Sequence, residues 1–519
     1  MEIELKLNVD PAEIARVMRR DRLEGVLKAK PSSMTVVSRY LDSGKLDLHR
    51  HDLSLRTRTE KKKRLQTLKL GGKDSVGVSD RGEWEMPIAG PGPDIAKLRH
   101  TDGVPSTAAA LLKDLDRKDA LHELFLTDVK RTTWQLQVGE SEVEMALDEG
   151  TIRCGDASLP VAEVELELKA GDKAALFEVA RELAAQAAVL PAERSKGRRG
   201  YALVTGESPH PVRAETIGLA AGMPVDDAIK TILGACLQHA LSNVRGILDE
   251  DDPEYVHQMR VGLRRLRSAC KLFSDWVELP PQIEGELEWI GGLLGSARDH
   301  DVLVQSTLPV IRDALAGDDA LQALLARAGA AAAEQRAALR RALHSPRFGQ
   351  WMVALLEWIE CRGWHHGLDA AASDKLQRPL GRFARKAVAR GQQRIARRGR
   401  HADPRDNPRM HRLRIACKRQ RYAVEFFQNV ERGGRARRYI RQLAGLQDMI
   451  GAHVDVAVAR RLVGEMRQEL PQLAEAAALA SGFLACRGSD ELRGVRRGWK
   501  KLTARSPDRL FRAKGKSWS

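Results

Sequence analysis

Several features that mark particular protein classes are scarce or missing in this 519-residue sequence. Its six cysteines lie far apart and form no CxxC pair, which disfavours a zinc ribbon or a disulfide framework and fits a reducing compartment. No apolar run reaches the roughly 18 residues of a membrane-spanning helix. Met1 leads directly into charged, alternating sequence with no signal-peptide pattern. We therefore expect a cytoplasmic protein that does not engage a membrane.

Three common catalytic motifs are also missing. Gly515-Lys516-Ser517 lacks the upstream glycine of a phosphate-binding P-loop, and there is no GxSxG nucleophile elbow or HExxH zinc helix. Aromatic residues make up only 4% of the chain, so stacking on the bases of single-stranded nucleic acid is disfavoured. Any binding to nucleic acid is expected to be non-specific and sensitive to salt.

Length and charge both divide the chain. A chain of 519 residues is too long for one ordinary core, so two or three domains are expected. Residues 1–200 hold 34 basic and 34 acidic side chains, so the whole net charge of +16 lies after residue 200. The basic second part is expected to bind a polyanion, unless its charge serves only solubility.

Charged and aliphatic residues alternate along several segments of the neutral first part. The opening Glu2-Ile3-Glu4-Leu5-Lys6-Leu7 places charges on one face of a strand and aliphatic side chains on the other. The pattern returns at residues 142–148 and 163–169, and paired basic residues occur at Arg56 and Arg58. An ordinary half-exposed sheet would explain one such strand. Their repetition favours a closed barrel whose lumen holds carboxylates around a hard divalent cation and basic groups around phosphates.

An ordered set of short motifs runs through residues 1–203. The set comprises Glu2-x-Glu4-x-Lys6, Tyr40-Leu41-Asp42-Ser43, Leu55-Arg56-Thr57-Arg58, Lys69, Glu83, Arg131, Ala146-Leu147-Asp148, Glu163-x-Glu165-x-Glu167, Ser195-Lys196, Arg199 and Tyr201. In content and order it resembles the CYTH domain, the family of triphosphate tunnel metalloenzymes. The resemblance implies an eight-stranded antiparallel β-tunnel with flanking helices, which hydrolyses triphosphate-bearing substrates with Mg²⁺ or Mn²⁺.

The same resemblance implies roles for individual residues. Those expected to be catalytic are Glu2, Glu4 and Lys6. Those expected to hold metal are Glu2, Glu4, Asp148, Glu165 and Glu167. Those expected to bind the phosphates of the substrate are Lys6, Arg56, Arg58, Lys69, Arg131, Lys196 and Arg199. Glu85 departs from the family pattern, either as a further ligand or as a residue at the tunnel mouth. Either a second metal ion or a carboxylate would activate the attacking water.

A duplicated helical pattern follows residues 204–218, which hold two prolines and are interpreted as a linker. Apolar residues at spacings of three and four predict a buried seam on one helix, made of Val256, Met259, Leu263, Leu266, Cys270 and Phe273. A second copy of the seam is made of Met410, Leu413, Cys417, Val424 and Phe427, with Gln420 in place of a leucine. We expect two packed helical bundles related by pseudo-two-fold symmetry.

A basic stripe lies one residue along from each seam. The two stripes are His257, Arg260, Arg264, Arg267 and Lys271, and His411, Arg414, Lys418 and Arg421. Each is followed by a Gly-x-x-x-Asp segment, at residues 295–299 and 451–455. Cations at helical spacing repel one another, so the repetition favours an anionic ligand over a merely solvated face. A single histidine among arginines makes a poor metal site, and His365-His366 is interpreted as structural.

These repeats resemble the CHAD domain, a conserved-histidine helical domain, over about residues 219–505. The resemblance implies that the two stripes bind inorganic polyphosphate. We therefore expect an α+β two-domain protein with a tunnel domain at 1–203, a linker at 204–218, an all-α domain of duplicated helical bundles at 219–505 and a basic tail at 506–519. The expected reaction is the hydrolysis of inorganic triphosphate to diphosphate and phosphate, in the cytoplasm and in association with polyphosphate granules.

Three other functions fit the same sequence. The tunnel family also includes hydrolases of thiamine or nucleoside triphosphates, and adenylate cyclases. The non-enzyme alternative is a polyphosphate-binding scaffold whose tunnel only holds phosphate. The near-complete set of acidic and basic tunnel positions disfavours the scaffold.

Overall fold

The computed structural model describes residues 3–17, 27–60, 63–70, 78–79, 82–314, 319–400, 407–430 and 434–486. Glu2 and the predicted tail at 506–519 lie outside these residues. The chain divides into two compact units: the first comprises Met1–His210 and His344–Cys361, and the second Pro211–Leu343 and Arg362–Ser519. None of the helices described is long and apolar enough to cross a membrane.

One antiparallel sheet forms the body of the first unit. Its strands are β1 (Ile3–Val9), β2 (Ser32–Asp42), β3 (Leu53–Glu60), β4 (Lys63–Leu70), β5 (Val78–Ser79), β6 (Glu83–Pro87), β7 (His122–Val138), β8 (Ser141–Cys154), β9 (Ala157–Ala170) and β10 (Val189–Pro191). Nine of them follow the path β10–β1–β9–β8–β7–β2–β3–β4–β6, and β5 pairs with β1. β6, at the other end of this path, pairs with β4.

The predicted antiparallel β-tunnel fold is confirmed, but the number of strands differs. Eight strands were expected, and the described residues form ten. The two additions are very short: β5 has two residues and β10 has three. Such short pieces carry no visible alternation, which is why the sequence pattern did not predict them.

Short helices accompany the strands of the first unit. They are α1 (Ile14–Val17), α2 (Asp47–Arg50), α3 (Ile95–Arg99), α4 (Ser106–Arg117), α5 (Ala174–Gln186) and α6 (Lys196–Thr205), with a 3₁₀ turn at Pro11–Glu13. The aliphatic residues of β1 and β9 point away from the charged face, and Leu5, Leu7 and Leu166 have no exposed surface. α5 packs across β1, β8 and β9, so the alternating pattern leaves one face of these strands for the core and the other for the lumen.

The remaining helices lie in the second half of the sequence. They are α7 (Val225–Leu241), α8 (Val244–Asp249), α9 (Pro253–Leu272), α10 (Pro281–Val302), α11 (Leu308–Ala314), α12 (Asp319–Leu343), α13 (Pro346–Glu360), α14 (Ala370–Leu376), α15 (Leu380–Arg400), α16 (Asn407–Phe426) and α17 (Arg435–Glu469). Other turns are π-helical at Leu303–Thr307 and 3₁₀ at Gly363–His365 and Pro471–Leu473. All but α13 belong to the second unit, so the prediction of an all-helical second domain is confirmed.

Helix α13 joins the first unit although its residues lie in the second half of the sequence. It packs against α5 and β10, and Arg181 of α5 forms an ion pair with Glu357 of α13. A Cβ on Gly349 would stand 2.5 Å from the carbonyl oxygen of Val189, so only glycine allows α13 to approach β10 so closely. No sequence pattern predicted that a helix from the second half of the sequence belongs to the first unit.

Both predicted seams of the second unit are buried. Every apolar residue named for α9 and α16 is at most 7% exposed, which confirms the helical periodicity. Gln420 is also buried, and its Nε2 donates a hydrogen bond to the carbonyl oxygen of Val388 on α15 at 3.0 Å. The polar residue in the second seam is therefore satisfied by the backbone of a neighbouring helix.

Candidate active site and anion-binding cluster

Strand register brings the charged positions of the first unit together. Lys6 of β1 is opposite Glu165 of β9, and Glu163 of β9 is opposite Asp148 of β8. Asp148 is in turn opposite Arg131 of β7. Because each of these side chains lies on the same face of its strand, four adjacent strands contribute to one cluster on that face of the sheet.

Lys196 enters the cluster from the start of α6. Ser195 caps this helix by accepting a hydrogen bond from the backbone N–H of Arg198 at 3.3 Å, which fixes the position of the next residue. The Nζ of Lys196 lies 2.7 Å from Glu163 Oε1, 2.7 Å from Glu165 Oε1 and 2.9 Å from Asp148 Oδ2. Burial alone would lower the pKa of Lys196, but the three carboxylates raise it above its ordinary value.

Glu165 accepts hydrogen bonds from two further cations. Lys6 Nζ lies 2.9 Å from Glu165 Oε1 and 2.9 Å from Glu4 Oε1. Arg131 Nη2 donates to Glu165 Oε2, while its Nε and Nη2 each lie 2.7 Å from an oxygen of Asp148. Despite burial, Lys196, Lys6 and Arg131 together hold the pKa of Glu165 well below its ordinary value, so this carboxylate is ionised. We call Lys6, Arg131, Asp148, Glu163, Glu165 and Lys196 the lumen cluster.

A second group of cations faces the lumen from β3 and β4. Arg56 lies 3.6 Å from Glu83, and Lys69 pairs with the same carboxylate. Arg58 lies 3.1 Å from Glu60 and has a buried Nε without a hydrogen-bond partner. Burial and the neighbouring charges of Arg56 and Arg131 lower the pKa of Arg58, which is the behaviour of a cation with too little negative charge around it.

Not every predicted site residue takes part in the lumen cluster. Glu167 is opposite Glu4, but its carboxylate pairs with Lys169 at 2.5 Å. The guanidinium of Arg199 donates to the carbonyl oxygen of Pro160 at the start of β9. Glu2 lies outside the described residues. The roles predicted for these three residues stay predictions.

Two further acids contact cations or their neighbours on the same face. Glu163, which the motif included without a role of its own, has no exposed surface and binds Lys196. Glu85, expected as a ligand or as a residue at the tunnel mouth, is exposed. Glu85 accepts a hydrogen bond from Thr67 Oγ1 at 3.0 Å, and Thr67 in turn lies 3.3 Å from Arg56 Nε. The period of two placed both acids on the lumen face. Sequence alone could not show which cation each would contact.

The carboxylates of the lumen cluster fit a hard divalent cation by their chemistry. Mg²⁺ and Mn²⁺ take oxygen ligands, mainly from carboxylates and phosphates. Glu163 Oε2 is buried and has no hydrogen-bond partner. Among the described residues no group of three or more His, Cys, Asp or Glu side chains forms a ready-made metal site. The Nζ of Lys196 contacts the carboxylates of Asp148, Glu163 and Glu165 instead. These carboxylates would hold a divalent cation if one were bound.

The second unit brings its two basic stripes together with the two repeated aspartates. Arg260 of α9 lies over Gly295 of α10, where a Cβ would be 3.9 Å from its Nε. Arg414 of α16 lies over Gly451 of α17, where a Cβ would be 3.7 Å from its Nη2. Equivalent glycines of the internal repeat therefore leave room for equivalent arginines. We call His257, Arg260, Arg264, Arg414 and Lys418, with Asp299 and Asp455, the basic cluster.

Positive charge exceeds negative charge in the basic cluster. Burial, followed by the charges of Arg264, Arg414 and Arg260, lowers the pKa of Lys418 to about 6. No hydrogen bond or ion pair joins Lys418 to any other part of the chain that the structure describes. Burial and nearby arginines also lower the pKa of His257 to about 4. An anion bound here would replace the hydration that these groups have lost.

The other stripe residues lie outside the basic cluster. His411, Arg267 and Lys271 are exposed, Arg267 donates to the carbonyl oxygen of Leu287 at 2.7 Å, and Arg421 lies 3.3 Å from Glu425. The two histidines of the repeat therefore differ, since His257 is half-buried. His365 contacts Asp226 at 2.9 Å in a group that also includes Trp364, which supports its interpretation as a structural residue.

Comparisons with known proteins identify both parts of the chain. The CYTH domain matches residues 1–201, and the CHAD domain matches residues 231–464. The crystal structure of the CHAD domain from the plant Ricinus communis is 36% identical, with a TM-score of 0.51, and covers 57% of this chain and 98% of that domain.

Two relatives match the first part. An inorganic triphosphatase of Haemophilus influenzae is 29% identical over 209 residues, which are 39% of this chain and 54% of that protein. The matched region thus spans about half the length of this curated relative. A Hippeastrum protein described as having a dominant triphosphatase activity is 19% identical, with a TM-score of 0.30, and covers 39% of this chain and 96% of that protein.

Proposed function

Because the chain belongs to the CHAD domain family and carries a CYTH domain before it, we propose that it is a polyphosphate-binding inorganic triphosphatase. The first unit would hydrolyse tripolyphosphate to diphosphate and phosphate with Mg²⁺ or Mn²⁺. The observation that carries this proposal is the lumen cluster, in which three cations share the carboxylate of Glu165. The triphosphatase name of the Haemophilus influenzae relative supports the reaction.

The cations of the lumen would bind the phosphates and compensate their charge. Lys6, Arg131 and Lys196 face the lumen from β1, β7 and α6. Arg56, Arg58 and Lys69 face the lumen from β3 and β4. Phosphoryl transfer depends on positioning and charge neutralisation more than on a covalent group from the protein. The planar guanidinium of Arg131, held by both oxygens of Asp148, presents a fixed donor geometry. Asp148 would act here mainly by orienting Arg131.

Substrate binding would also release the carboxylates of the cluster. As Lys6 and Lys196 turn towards phosphate oxygens, Glu4, Glu165 and Glu163 lose their present partners and become available. A divalent cation held by these carboxylates, and by Glu2 as predicted, would neutralise phosphate charge and activate water. Glu167, two residues after Glu165 on β9, stays a predicted metal ligand.

Phosphate release tests the proposal directly. The wild-type protein is incubated with tripolyphosphate and Mg²⁺, Mn²⁺ or EDTA, beside the variant Glu4→Gln. Glu140→Gln is the matched control, because this exposed acid lies in the turn between β7 and β8. We expect metal-dependent release that Glu4→Gln abolishes and Glu140→Gln preserves. No turnover by the wild type with any metal would contradict the proposal and leave a binding scaffold.

A substrate panel separates the hydrolase alternatives. Thiamine triphosphate, ATP and tripolyphosphate are compared by kcat/KM, with cyclic AMP as an additional product measured from ATP. We expect tripolyphosphate to be preferred, because the cations described in the lumen suit phosphate oxygens and the lumen cluster contains no aromatic side chain that could hold a base or a thiazolium ring. Production of cyclic AMP from ATP would contradict the assignment as a triphosphatase and indicate an adenylate cyclase.

The second unit would bind inorganic polyphosphate at the basic cluster. Arg260, Arg264, Arg414 and Lys418 converge there beside Asp299 and Asp455. We also propose that this binding places the enzyme on polyphosphate in the cytoplasm. The double variant Arg260→Gln/Arg414→Gln should lose polyphosphate binding in a fluorescence titration, and a fluorescent fusion should lose its granule association. Unchanged titration of the double variant would contradict this assignment.

A further inference from the structure

A second basic surface lies on α15 and on the side of α16 next to it. Between residues 380 and 400, α15 carries eight arginine or lysine side chains and no acidic residue. Seven of them are exposed: Arg382, Arg385, Lys386, Arg390, Arg394, Arg397 and Arg400. A helix of this length extends about 30 Å at 1.5 Å per residue. None of these residues belongs to the basic cluster.

The surface is most concentrated where α15 meets α16. Arg398 of α15 donates to the carbonyl oxygen of Arg412 of α16 at 2.8 Å. Burial and the charges of Arg394, Arg397 and Arg412 lower the pKa of Arg398. Arg419 is affected in the same way by Arg394 and Arg398. We call Arg394, Arg397, Arg398, Arg412 and Arg419 the arginine face. No carboxylate in the part of the chain that the structure describes contributes to these shifts, so the arginines repel one another.

A groove of about 610 Å³ leads from the basic cluster towards this face. Its basic lining residues are Arg264, Arg267, Lys271, Lys418 and Arg419, and its acidic ones are Glu278, Glu284 and Glu288. Arg264 and Lys418 belong to the basic cluster, and Arg419 belongs to the arginine face. The two surfaces are therefore connected through the groove by basic side chains.

We propose that the arginine face is a second contact surface for the same polyphosphate chain, so that long chains bind to both surfaces and short chains only to the basic cluster. This inference rests on the proposed binding of polyphosphate. A polymer that bridges two linked surfaces gains affinity without any new contact at the first. Affinity should therefore increase with chain length beyond the length that the basic cluster accommodates.

The chemistry of the surface favours a polyphosphate chain over nucleic acid. None of the described residues that line the groove is aromatic. Phe383, the aromatic residue of α15, stacks instead on Phe273 at 5.0 Å between ring centroids. Non-specific binding of single-stranded nucleic acid relies on such rings as stacking platforms. A chain of phosphates needs only charge and donors, and guanidinium groups supply both.

The test compares short-chain and long-chain polyphosphate on the full-length protein. The variant Arg394→Gln/Arg397→Gln/Arg412→Gln removes three exposed charges from the arginine face. The control Arg245→Gln/Arg312→Gln/Arg327→Gln removes three charges that are already paired with carboxylates. Because both variants have the same net charge, a general electrostatic effect would weaken both alike.

We expect the face variant to bind long chains about tenfold more weakly than the control does. Its slope in a plot of log affinity against log salt should be shallower by about 2, since each phosphate contact contributes about 0.7 for a single strand. Short chains should bind to it as they do to the control. Equal losses in the two variants, or equal losses for short and long chains, would overturn the inference. So would a face variant that loses binding only to duplex DNA.

Failure of the proposed function would give a different result. If the wild type binds neither short nor long chains, polyphosphate binding by the second unit is itself wrong, and the inference falls with it. If the wild type binds both and the face variant binds long chains normally, only the arginine face is wrongly assigned.

Discussion

Glu165 is the carboxylate that three cations of the lumen cluster contact. It accepts from Lys6, Arg131 and Lys196, which come from β1, β7 and α6. A buried ion-pair network of this kind is a poor source of stability, because desolvation of the charges offsets much of their attraction. On the proposed function, the network would hold the cations at fixed positions until a more highly charged anion replaces the carboxylate.

Arg131 and Lys130 offer a matched pair of substitutions on β7. Their side chains point to opposite faces of the strand, with Arg131 in the lumen and Lys130 exposed. We expect Arg131→Gln to lower kcat/KM for tripolyphosphate about 10²-fold, because a fixed donor to the transferring phosphate is lost. Lys130→Gln should change kcat/KM little. Steady-state phosphate release measures both, and similar losses in the two variants would contradict the assignment.

Lys418 should couple polyphosphate binding to proton uptake. Its pKa in the free protein is lowered to about 6 by burial and by Arg264, Arg414 and Arg260, with Asp455 acting in the opposite direction. Bound polyphosphate would return the pKa towards its ordinary, higher value. At a pH above about 6 binding therefore takes up a proton, and affinity rises as the pH falls, by at most about tenfold per pH unit.

Calorimetry in buffers of different ionisation enthalpy measures this uptake. Lys418→Met should abolish it, because the methionine keeps the apolar stem and cannot be protonated. A wild-type affinity that is constant above pH 6 would contradict the expected linkage.

The sequence predicted which residues lie on the lumen face of each strand. It did not predict which cation contacts which carboxylate. Alternation with a period of two is a local property, so Lys6, Asp148 and Glu165 could be assigned to a common face without knowing the fold. The contact between Lys196 and Glu163 joins residues from different elements and depends on where α6 begins. Such contacts follow from tertiary packing, which no local pattern encodes.

At the scale of elements, α6 depends on a glycine. A Cβ on Gly200 would stand 2.0 Å from the ring of Phe125. That ring stacks on Tyr40 at 4.4 Å and meets the edge of Tyr201 at 5.3 Å between centroids. Tyr201 in turn donates a hydrogen bond to Asp42 at 3.1 Å. This tightly packed aromatic group holds α6 against the sheet, and α6 holds Lys196.

Gly200→Ala should therefore affect both stability and catalysis. We expect a loss of about 1–3 kcal/mol in the free energy of unfolding, because an added methyl group overpacks the contact with Phe125. Activity should also fall, since α6 carries Lys196. Gly464→Ala is the control: no atom lies within 4 Å of its Cβ position in the interior of α17. It should raise helix stability by up to about 1 kcal/mol. Chemical denaturation checks both values.

Gln420 shows why one element could be predicted only in part. The spacing of its neighbours placed it correctly in the buried seam of α16, and its polarity marked it as an exception. Its partner is a backbone carbonyl on α15. Close approach of α15 at this point depends on Gly391, where a Cβ would overlap Gln420 Oε1 at 1.8 Å. Neither the partner nor the need for that glycine follows from the pattern of one helix.

At the scale of the whole molecule, charge is distributed unevenly along the chain. Residues 1–200 have no net charge, and the excess of +16 lies in the remainder. Charges inside the lumen are buried and screened little by salt, whereas the exposed cations of the second unit are screened strongly. Tripolyphosphate hydrolysis and polyphosphate binding should therefore respond differently to salt.

We expect the affinity for long-chain polyphosphate to fall steeply with salt, with a slope of about −0.7 for each phosphate contact in a plot of log affinity against log salt. KM for tripolyphosphate should change much less over the same range. Both quantities can be measured on one preparation. Equal slopes would indicate that the same surface governs both processes.

The placement of α13 limits how this protein could have been assembled or could be divided. The chain crosses between the two units after His210, after Leu343 and after Cys361. A fragment that ends at residue 210 would lack α13 and would expose the side of α5 that this helix covers. The two family domains are consecutive in sequence, yet the second cannot be exchanged without removing a helix from the first unit. Recombination that brought in a foreign second half would also have to supply a helix that matches α5 and β10.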